Sequence, residues 1–219
     1  TLDGDGHSIT AMDPVGSHFT GAVITNAGTS ANVINLTVTA SGLSDVCDGG
    51  TARLRGIMFD GASGSITGNT VTGVRQGLSG CQEGNAIEAR NAPFAGDTGS
   101  VTVGPDVNVT ISNNTVNNYQ KNGITVNGAV VANVTGNIVT GDGSISYIAQ
   151  NGIQIGFGGT ATVKSNTITG NAYAPATTEA CGLLLYRADG VKAQANDIFN
   201  NQKNMCNYGK GSGNVKPAN

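Results

Sequence analysis

The sequence has 219 residues, of which 34 are glycine, about twice the usual share, and only 11% are charged. With no tryptophan and five residues each of tyrosine and phenylalanine, the chain has too few large side chains for a helix bundle or for most α/β folds. The net charge of -3 and the absence of a basic run argue against nucleic-acid binding and against a polybasic membrane patch, and no apolar run approaches the ~18 residues of a membrane-spanning helix.

The composition also bears on order and on the number of domains. A glycine-rich chain can be disordered, but 38% of these residues are hydrophobic, and so small a net charge gives little self-repulsion. We therefore expect one folded domain across residues 1–219.

The first strand pattern begins near Leu2, already in the middle of a repeat unit. Because stacked repeats need a cap at each end, we expect an upstream segment or a partner to cover this end. The segment 3–6, Asp-Gly-Asp-Gly, is similar to the start of a calcium loop, but no glutamate closes it at the required spacing, so a turn is expected. His7 and His18 are expected to be surface or packing residues, and no metal site is predicted.

A five-residue motif recurs down the chain and reads small, Asn, any residue, aliphatic, any residue. Its copies are 68–72, 113–117, 136–140, 165–169 and 195–199. A second motif, a small residue followed by alternating aliphatic residues, recurs at 56–59, 86–89, 123–126, 152–155 and 182–185. The shortest interval between motif asparagines is 23 residues, from Asn114 to Asn137, so the longer units carry inserts.

These repeats predict an all-β fold, a single-stranded right-handed parallel β-helix of roughly six or seven coils. Each coil needs three strands in which alternate residues point inward, and the aliphatic positions supply the interior. Asparagine suits the corners because it tolerates the left-handed backbone conformation, and stacked asparagine side chains can hydrogen-bond from coil to coil. Glycine fits the same corners without steric cost.

The repeat resembles that of the bacterial right-handed parallel β-helix proteins of the pectate-lyase-like superfamily over nearly the whole chain. The segments 117–124 and 148–153 resemble a subgroup of secreted actinobacterial-type repeat proteins. The resemblance implies a secreted, carbohydrate-active protein, but this scaffold hosts lyases, hydrolases, epimerases, sugar transferases, adhesins and ice binders. The aspartate pairs and the Gly-His-Gly and Arg-x-Lys sets of polygalacturonases are absent, as is the carboxylate cluster of calcium-dependent pectate lyases.

Inserts fall mostly at one corner, between the asparagine strand and the small–aliphatic strand, at 40–55, 73–85, 141–151 and 170–181. Loops stacked at one corner are expected to wall a groove, and loops on a rigid scaffold are where binding residues concentrate. The unit at 91–107 carries its insert on the other side of that strand and is expected to form the opposite wall. Residues 209–219 are expected to be a frayed tail.

The four cysteines show neither the Cys-x-x-Cys spacing nor the paired histidines of a metal site, so disulfides and a secreted protein are expected. Cys47 and Cys81 lie in loops of successive coils and are in position to bridge. Cys181 and Cys206 lie at nearly the same corner, although the register separates them by two positions, which stretches disulfide geometry. Free thiols remain the alternative for each pair.

The scarce charged residues gather on the outward positions of the small–aliphatic strands, flanked by Arg53, Arg55 and Gln82 in loops. Sugar cleavage needs a pair of carboxylates, or a base together with a cation that neutralises a uronate. We assign catalytic roles to three residues: Glu88 as the acid or base, Lys121 as a cation that holds substrate charge, and Tyr119 as a proton donor or stacking platform. The substrate-binding residues are expected to be Asp60, Arg75, Glu83, Arg90, Asn127, Tyr147, Gln154 and Tyr186.

We therefore predict an extracellular carbohydrate-active protein, a candidate polysaccharide lyase, hydrolase or epimerase, whose partner is a polysaccharide or oligosaccharide and which needs no cofactor. The alternative is a non-catalytic glycan-binding or cell-surface structural module, in which Asp60 and Arg90 form an ordinary solvated ion pair. A minor alternative is ice binding by Thr-x-Thr rows such as 37–39, 70–72 and 167–169, although threonine is simply a good strand former.

Overall fold

The computed structural model describes residues 1–40, 42–92 and 104–209. The strands of this part of the chain form three parallel sheets of seven strands each, one strand per coil, which confirms the predicted all-β parallel β-helix with seven coils. The predicted insert at 91–107 lies largely outside the described residues, and the predicted tail at 209–219 lies almost entirely outside them. None of the described residues forms a helix with the length and apolar character that crossing a bilayer requires.

The strands are numbered in chain order. The first sheet consists of β1 (Leu2–Asp3), β4 (Ala31–Ile34), β7 (Gly64–Thr67), β10 (Val107–Ser112), β13 (Val130–Thr135), β16 (Thr160–Lys164) and β19 (Lys192–Gln194). The second consists of β2 (Ser8–Ala11), β5 (Thr37–Ala40), β8 (Thr70–Thr72), β11 (Thr115–Asn117), β14 (Ile138–Ile145), β17 (Thr167–Tyr173) and β20 (Asp197–Phe199). The third consists of β3 (Ala22–Ala27), β6 (Arg55–Asp60), β9 (Asn85–Asn91), β12 (Asn122–Gly128), β15 (Asn151–Gly156), β18 (Cys181–Tyr186) and β21 (Lys203–Tyr208).

Each strand pairs with the strand one coil further on, because successive coils repeat the same motif. The aliphatic positions of the third sheet pair in the order Ile57, Ile87, Ile124, Ile153 and Leu183. All five side chains are fully buried. Burying a side chain of this size contributes about 1.5–3 kcal/mol, so these stacked columns are a main source of stability.

A column of asparagines, the asparagine ladder, runs along one corner and comprises Asn69, Asn114, Asn137 and Asn166, which are buried, and Asn196, which is half-buried. Each of the first four amides donates to the carboxamide oxygen one coil further on at 2.9–3.1 Å, so the predicted coil-to-coil bonding is confirmed. The left-handed position differs from the prediction by one residue. It falls on the residue before each ladder asparagine, such as Asn113 or Ser165, because the chain turns there and the next side chain then points inward.

Both disulfides are formed. The Cα atoms of Cys47 and Cys81 lie 5.1 Å apart, and those of Cys181 and Cys206 lie 6.0 Å apart. Four of the loops between the second and third sheets, which we call the wall loops, span 42–54, 73–84, 146–150 and 174–180. The first wall loop contains the short 3-10 helix Gly50–Ala52, and the first disulfide ties it to the second wall loop.

The outer face of the second sheet carries the predicted threonine rows. Thr37 pairs with Thr70, and Thr70 pairs with Thr115. Ile138 then interrupts this row, and Asn117 interrupts the row beside it. Ice binding by this face stays a prediction.

Candidate functional site

A groove of about 240 Å³ lies on the outer face of the third sheet, beside the wall loops. Its lining is polar and cationic, with one aromatic ring. The lining residues are Arg53, Arg55, Gln82, Asn85, Glu88, Lys121, Asn122, Asn127, Gln154 and Phe157.

The register of the third sheet explains why these side chains converge. Side chains on one face of a parallel sheet form columns, with neighbours separated by the strand spacing of about 4.8 Å. The first column is Arg55, Asn85, Asn122 and Asn151. The second is Met58, Glu88, Thr125 and Gln154, and the third is Asp60, Arg90, Asn127 and Gly156. The groove therefore gathers residues from four coils.

Glu88 lies between two arginines in the floor of the groove. The Nε of Arg55 donates to its Oε2, and the Nη1 of Arg90 lies 3.2 Å from its Oε1. All three residues are at most 1% exposed. Burial would raise the pKa of Glu88, but the charges of Arg55 and Arg90 outweigh burial and hold this pKa below its usual value. Glu88 is thus ionised at neutral pH, with both oxygens engaged.

Asp60 lies on the other side of Arg90, with its Oδ1 3.9 Å from the arginine Nε. Burial raises the pKa of Asp60 by more than the charge of Arg90 lowers it. The arginine therefore holds Glu88 much more firmly than it holds Asp60. Asp60 does not line the groove.

Side-chain amides make up much of the remaining floor. Asn122 donates to Asn85 at 3.1 Å, and Asn151 donates to Asn122 at 3.0 Å. Gln154 donates to Asn127 at 3.1 Å. Because an amide has both donors and acceptors, this floor can donate hydrogen bonds to the hydroxyl groups of a sugar or accept hydrogen bonds from them.

Lys121 stands at the junction of two depressions. Its Nζ donates a 2.8 Å hydrogen bond to the carbonyl oxygen of Ala149, and burial lowers its pKa to about 8. The second depression, of about 210 Å³, shares Lys121 and Gln82 with the groove and is also lined by Tyr147 and Tyr173. A ligand in either depression can therefore reach the amine.

The structure brings four of the predicted site residues into the lining of the groove: Glu88, Lys121, Asn127 and Gln154. Arg90 lies beneath that lining and is fully buried. Tyr186 lies further along the third sheet, with its ring centroid 5.3 Å from that of Phe157.

Three predicted residues serve the wall loops instead. The carboxylate of Glu83 accepts the backbone N–H groups of Asp48 and Leu54 at 2.8 and 2.7 Å, which fixes the first wall loop. Arg75 contacts Tyr147 and forms a 2.8 Å ion pair with Asp142. Of these three, only Tyr147 lines one of the two depressions that Lys121 joins, and Arg75 lines a separate depression of about 300 Å³.

Tyr119 points into the interior of the coils. It is fully buried, and its hydroxyl donates to the Oδ1 of Asn171 at 2.5 Å. Burial raises its pKa. In this arrangement the phenol supports the coil and does not reach a ligand on the outer face.

Three lining residues are missing from the prediction: Asn85, Asn122 and Phe157. The two asparagines had a signal in the sequence, because each stands directly before a small–aliphatic motif, as Asn151 does. When the same residue type recurs at one position of the motif, its side chains are predicted to form one column of the sheet. Phe157 follows its strand at a corner and had no such signal.

Every histidine, cysteine and methionine of the chain lies within the described residues. The groups there with metal-ligand spacing are Cys47, Cys81 and Glu83, and Glu179, Cys181 and Cys206. Each group contains a disulfide, so its sulfur atoms are not thiolates. Of the histidines, His18 bonds Asp48 at 3.0 Å, and His7 is exposed.

Comparison with known proteins gives one family. The family model described as "Periplasmic copper-binding protein (NosD)" matches residues 8–215. No curated protein and no solved structure matches the chain significantly.

Proposed function

This chain belongs to the NosD family, and from the residues of its groove we propose that it binds an acidic oligosaccharide along the outer face of the third sheet. Membership of a periplasmic family and the two disulfides indicate a secreted or extracellular β-helix protein. We also propose that the chain is related to the pectate-lyase-like superfamily, with which it shares the parallel β-helix fold.

The sign of the charge in the groove is the observation that carries the proposal. Arg53, Arg55 and Lys121 line the groove together with a single acid, Glu88, which two arginines already engage. The chain as a whole is negative, at -3, so this excess of positive charge is local. Concave sites with one sign of charge attract ligands of the opposite sign, and the amide floor favours a ligand rich in hydroxyl groups.

Copper does not fit the residues of this chain as they stand. Cu(I) selects thiolate and thioether ligands, and Cu(II) selects imidazole, but all four cysteines are in disulfides. His7 and His18 are in neither group with metal-ligand spacing among the described residues. We therefore assign copper no part in the site.

The charge state of Glu88 does not support acid–base catalysis by this residue. A general acid or base must change its protonation state near the working pH, whereas the pKa of Glu88 lies below its usual value. Of the described residues that line the groove, Glu88 is the only acid, so the carboxylate pair of a glycoside hydrolase is not supported.

The proposal is tested by isothermal titration calorimetry with short uronate-containing oligosaccharides and with the same oligosaccharides after reduction of their carboxyl groups to alcohols. We expect the acidic ligands to bind about tenfold more tightly, since a hydrogen bond to a charged group contributes about 1.5–3 kcal/mol. Lys121→Met should remove most of this difference. Equal affinity for the acidic and reduced ligands would overturn the proposal.

The matched control is Lys164→Met. Lys164 is exposed at the end of β16 in the first sheet and lines neither depression. Lys164→Met changes the net charge of the protein by the same amount as Lys121→Met. Unchanged affinity in Lys164→Met would therefore exclude a long-range charge effect.

The lowered pKa of Lys121 favours a second candidate function, β-elimination of the bound uronate. The neutral amine would take the proton from the ring carbon beside the carboxylate, a carbon–carbon double bond would form, and the bond to the neighbouring sugar's oxygen would break as water protonates that oxygen. The rate should rise with pH through about 8, as the amine of Lys121 loses its proton. The ultraviolet absorbance of the unsaturated product measures the rate of β-elimination. If no acidic oligosaccharide yields a product with this absorbance, β-elimination is ruled out.

A further inference from the structure

One corner of the coils, directly after the third-sheet strands, has a left-handed backbone in six of the seven coils; the third coil, with Asn91 at the equivalent position, does not. At this corner φ is positive at Gly28, Gly61, Gly128 and Gly209. Two coils in succession replace the glycine with a large residue, Phe157 with φ 54° and Arg187 with φ 53°. The same corner is thus built in two ways within one chain.

A phenylalanine at such a position is unfavourable. The left-handed conformation brings the Cβ atom too close to the following carbonyl oxygen, and for a bulky residue it is a genuine outlier. Glycine takes the conformation freely, as four other coils show. Residues held in sparsely populated conformations concentrate at ligand sites, so the ring of Phe157 calls for a functional explanation.

The surroundings of Phe157 place its ring against the groove. Its backbone N–H donates to the carbonyl oxygen of Tyr186 at 2.9 Å, which fixes the corner. The ring is half-buried, lines the groove and packs against the ring of Tyr186 at an interplanar angle of 57°. Gly156, directly before it, leaves the third column without a side chain at this coil. Because Phe157 lines the groove, part of its ring adjoins the open space of the groove.

Phe157 and Arg55 stand at opposite ends of the groove. Arg55 begins β6 in the second coil, and Phe157 follows β15 in the fifth. Three coil steps correspond to about 14 Å. The groove is thus cationic at one end and aromatic at the other.

We propose that Phe157 is a stacking platform for the apolar face of a pyranose ring, so that the ligand lies along the axis of the coils with its anionic group near Arg55 and Lys121 and an uncharged sugar on Phe157. This inference rests on the proposed function and adds the direction and the second recognition element of the ligand. Aromatic rings pack well against flat apolar surfaces, and the C–H groups of a pyranose form such a surface.

The test uses Phe157→Leu and Phe157→Tyr in calorimetric titrations with the acidic oligosaccharides. Leucine keeps the apolar bulk and the same unfavourable backbone position but lacks a flat face, so affinity should fall about tenfold while the thermal unfolding midpoint stays within a few degrees. Tyrosine keeps the flat face and should retain wild-type affinity. Phe157→Gly restores the usual corner residue and should weaken binding without lowering the unfolding midpoint.

Arg187→Gly is the control for the corner itself. It removes the second left-handed side chain, and Arg187 does not line the groove, so affinity should change by less than about twofold. Wild-type affinity in Phe157→Leu would overturn the platform. If that result accompanies weakened binding in Lys121→Met, the platform alone fails, whereas failure of every acidic ligand to bind the wild type would overturn both proposals.

Discussion

The Nη1 of Arg90 lies 3.2 Å from the Oε1 of Glu88, and both side chains are almost completely excluded from solvent. Arg55 engages the other carboxylate oxygen. Breaking a buried pair leaves an uncompensated charge, which is far more destabilising than losing an exposed pair. We therefore expect the contacts of Glu88 with the two arginines to stabilise the fold, whether or not a ligand is bound.

Glu88→Gln should lower the free energy of unfolding by about 3–5 kcal/mol, because two buried guanidinium groups lose the charge of the Glu88 carboxylate. Urea denaturation followed by circular dichroism measures it. Glu179→Gln is the matched control, since the pair of Glu179 with Lys203 is 35% and 50% exposed and contributes at most about 1 kcal/mol. A change as small as the control's would show that the Glu88 cluster does not hold the coils together.

The same cluster predicts an acid limit to stability. The pKa of Glu88 is lower in the folded protein than its ordinary value of 4.5, so its contribution is fully present above that value and is lost as the pH falls through the folded pKa. Denaturation midpoints measured across this range should fall more steeply for the wild type than for Glu88→Gln. Parallel curves would assign the acid sensitivity to other carboxylates.

Binding should depend on pH through Lys121. Burial lowers the pKa of this amine to about 8, so it is charged below that pH and neutral above it, and affinity for an acidic oligosaccharide should fall as the pH rises through about 8. Calorimetric titrations on either side of that pH measure the change. Lys121→Arg keeps its charge throughout this range and should flatten the profile; a profile unchanged in this variant would point to another group.

Asn137→Ala should destabilise the asparagine ladder at its centre. The amide of Asn137 donates to Ile111 and to Asn166 and accepts from Asn114, in each case at 2.9 Å. Removing it leaves several buried groups unsatisfied, each of which costs about 1–3 kcal/mol, so thermal denaturation should show a loss of at least about 2 kcal/mol. Asn133→Ala, at an exposed position of β13, should stay within about 0.5 kcal/mol of the wild type.

The first disulfide should matter for binding as well as for stability. Replacing Cys47 and Cys81 with alanine should lower the free energy of unfolding by about 2–4 kcal/mol and weaken binding, because the first wall loop carries Arg53 into the groove. Urea denaturation and calorimetry measure the two effects. The control replaces Cys181 and Cys206 with alanine. The second disulfide closes a similar length of chain, 25 against 34 residues, so this variant should lose a similar free energy of unfolding, with unchanged affinity for the ligand.

The periodicity of the sequence by itself determined the coils. A fixed motif, repeated along the chain, can bury its aliphatic residues only by stacking one copy on the next, so the inward columns and the coil-to-coil bonds of the asparagine ladder followed from local pattern. Strand alternation also assigned Glu88, Asn127 and Gln154 to the outer face, since a side chain within a strand points to one side or the other by its position.

Only the tertiary structure decided what happens at the corners and between coils. Tyr119 precedes β12 by a few residues, where alternation does not apply, and it turned inward onto Asn171. Arg55 and Glu88 are 33 residues apart, and they meet because inserts of unequal length still return the chain to one register. Phe157 likewise acquired its place in the groove from a backbone conformation that sequence periodicity does not encode, because a corner's φ is set by the stacking of the coils around it.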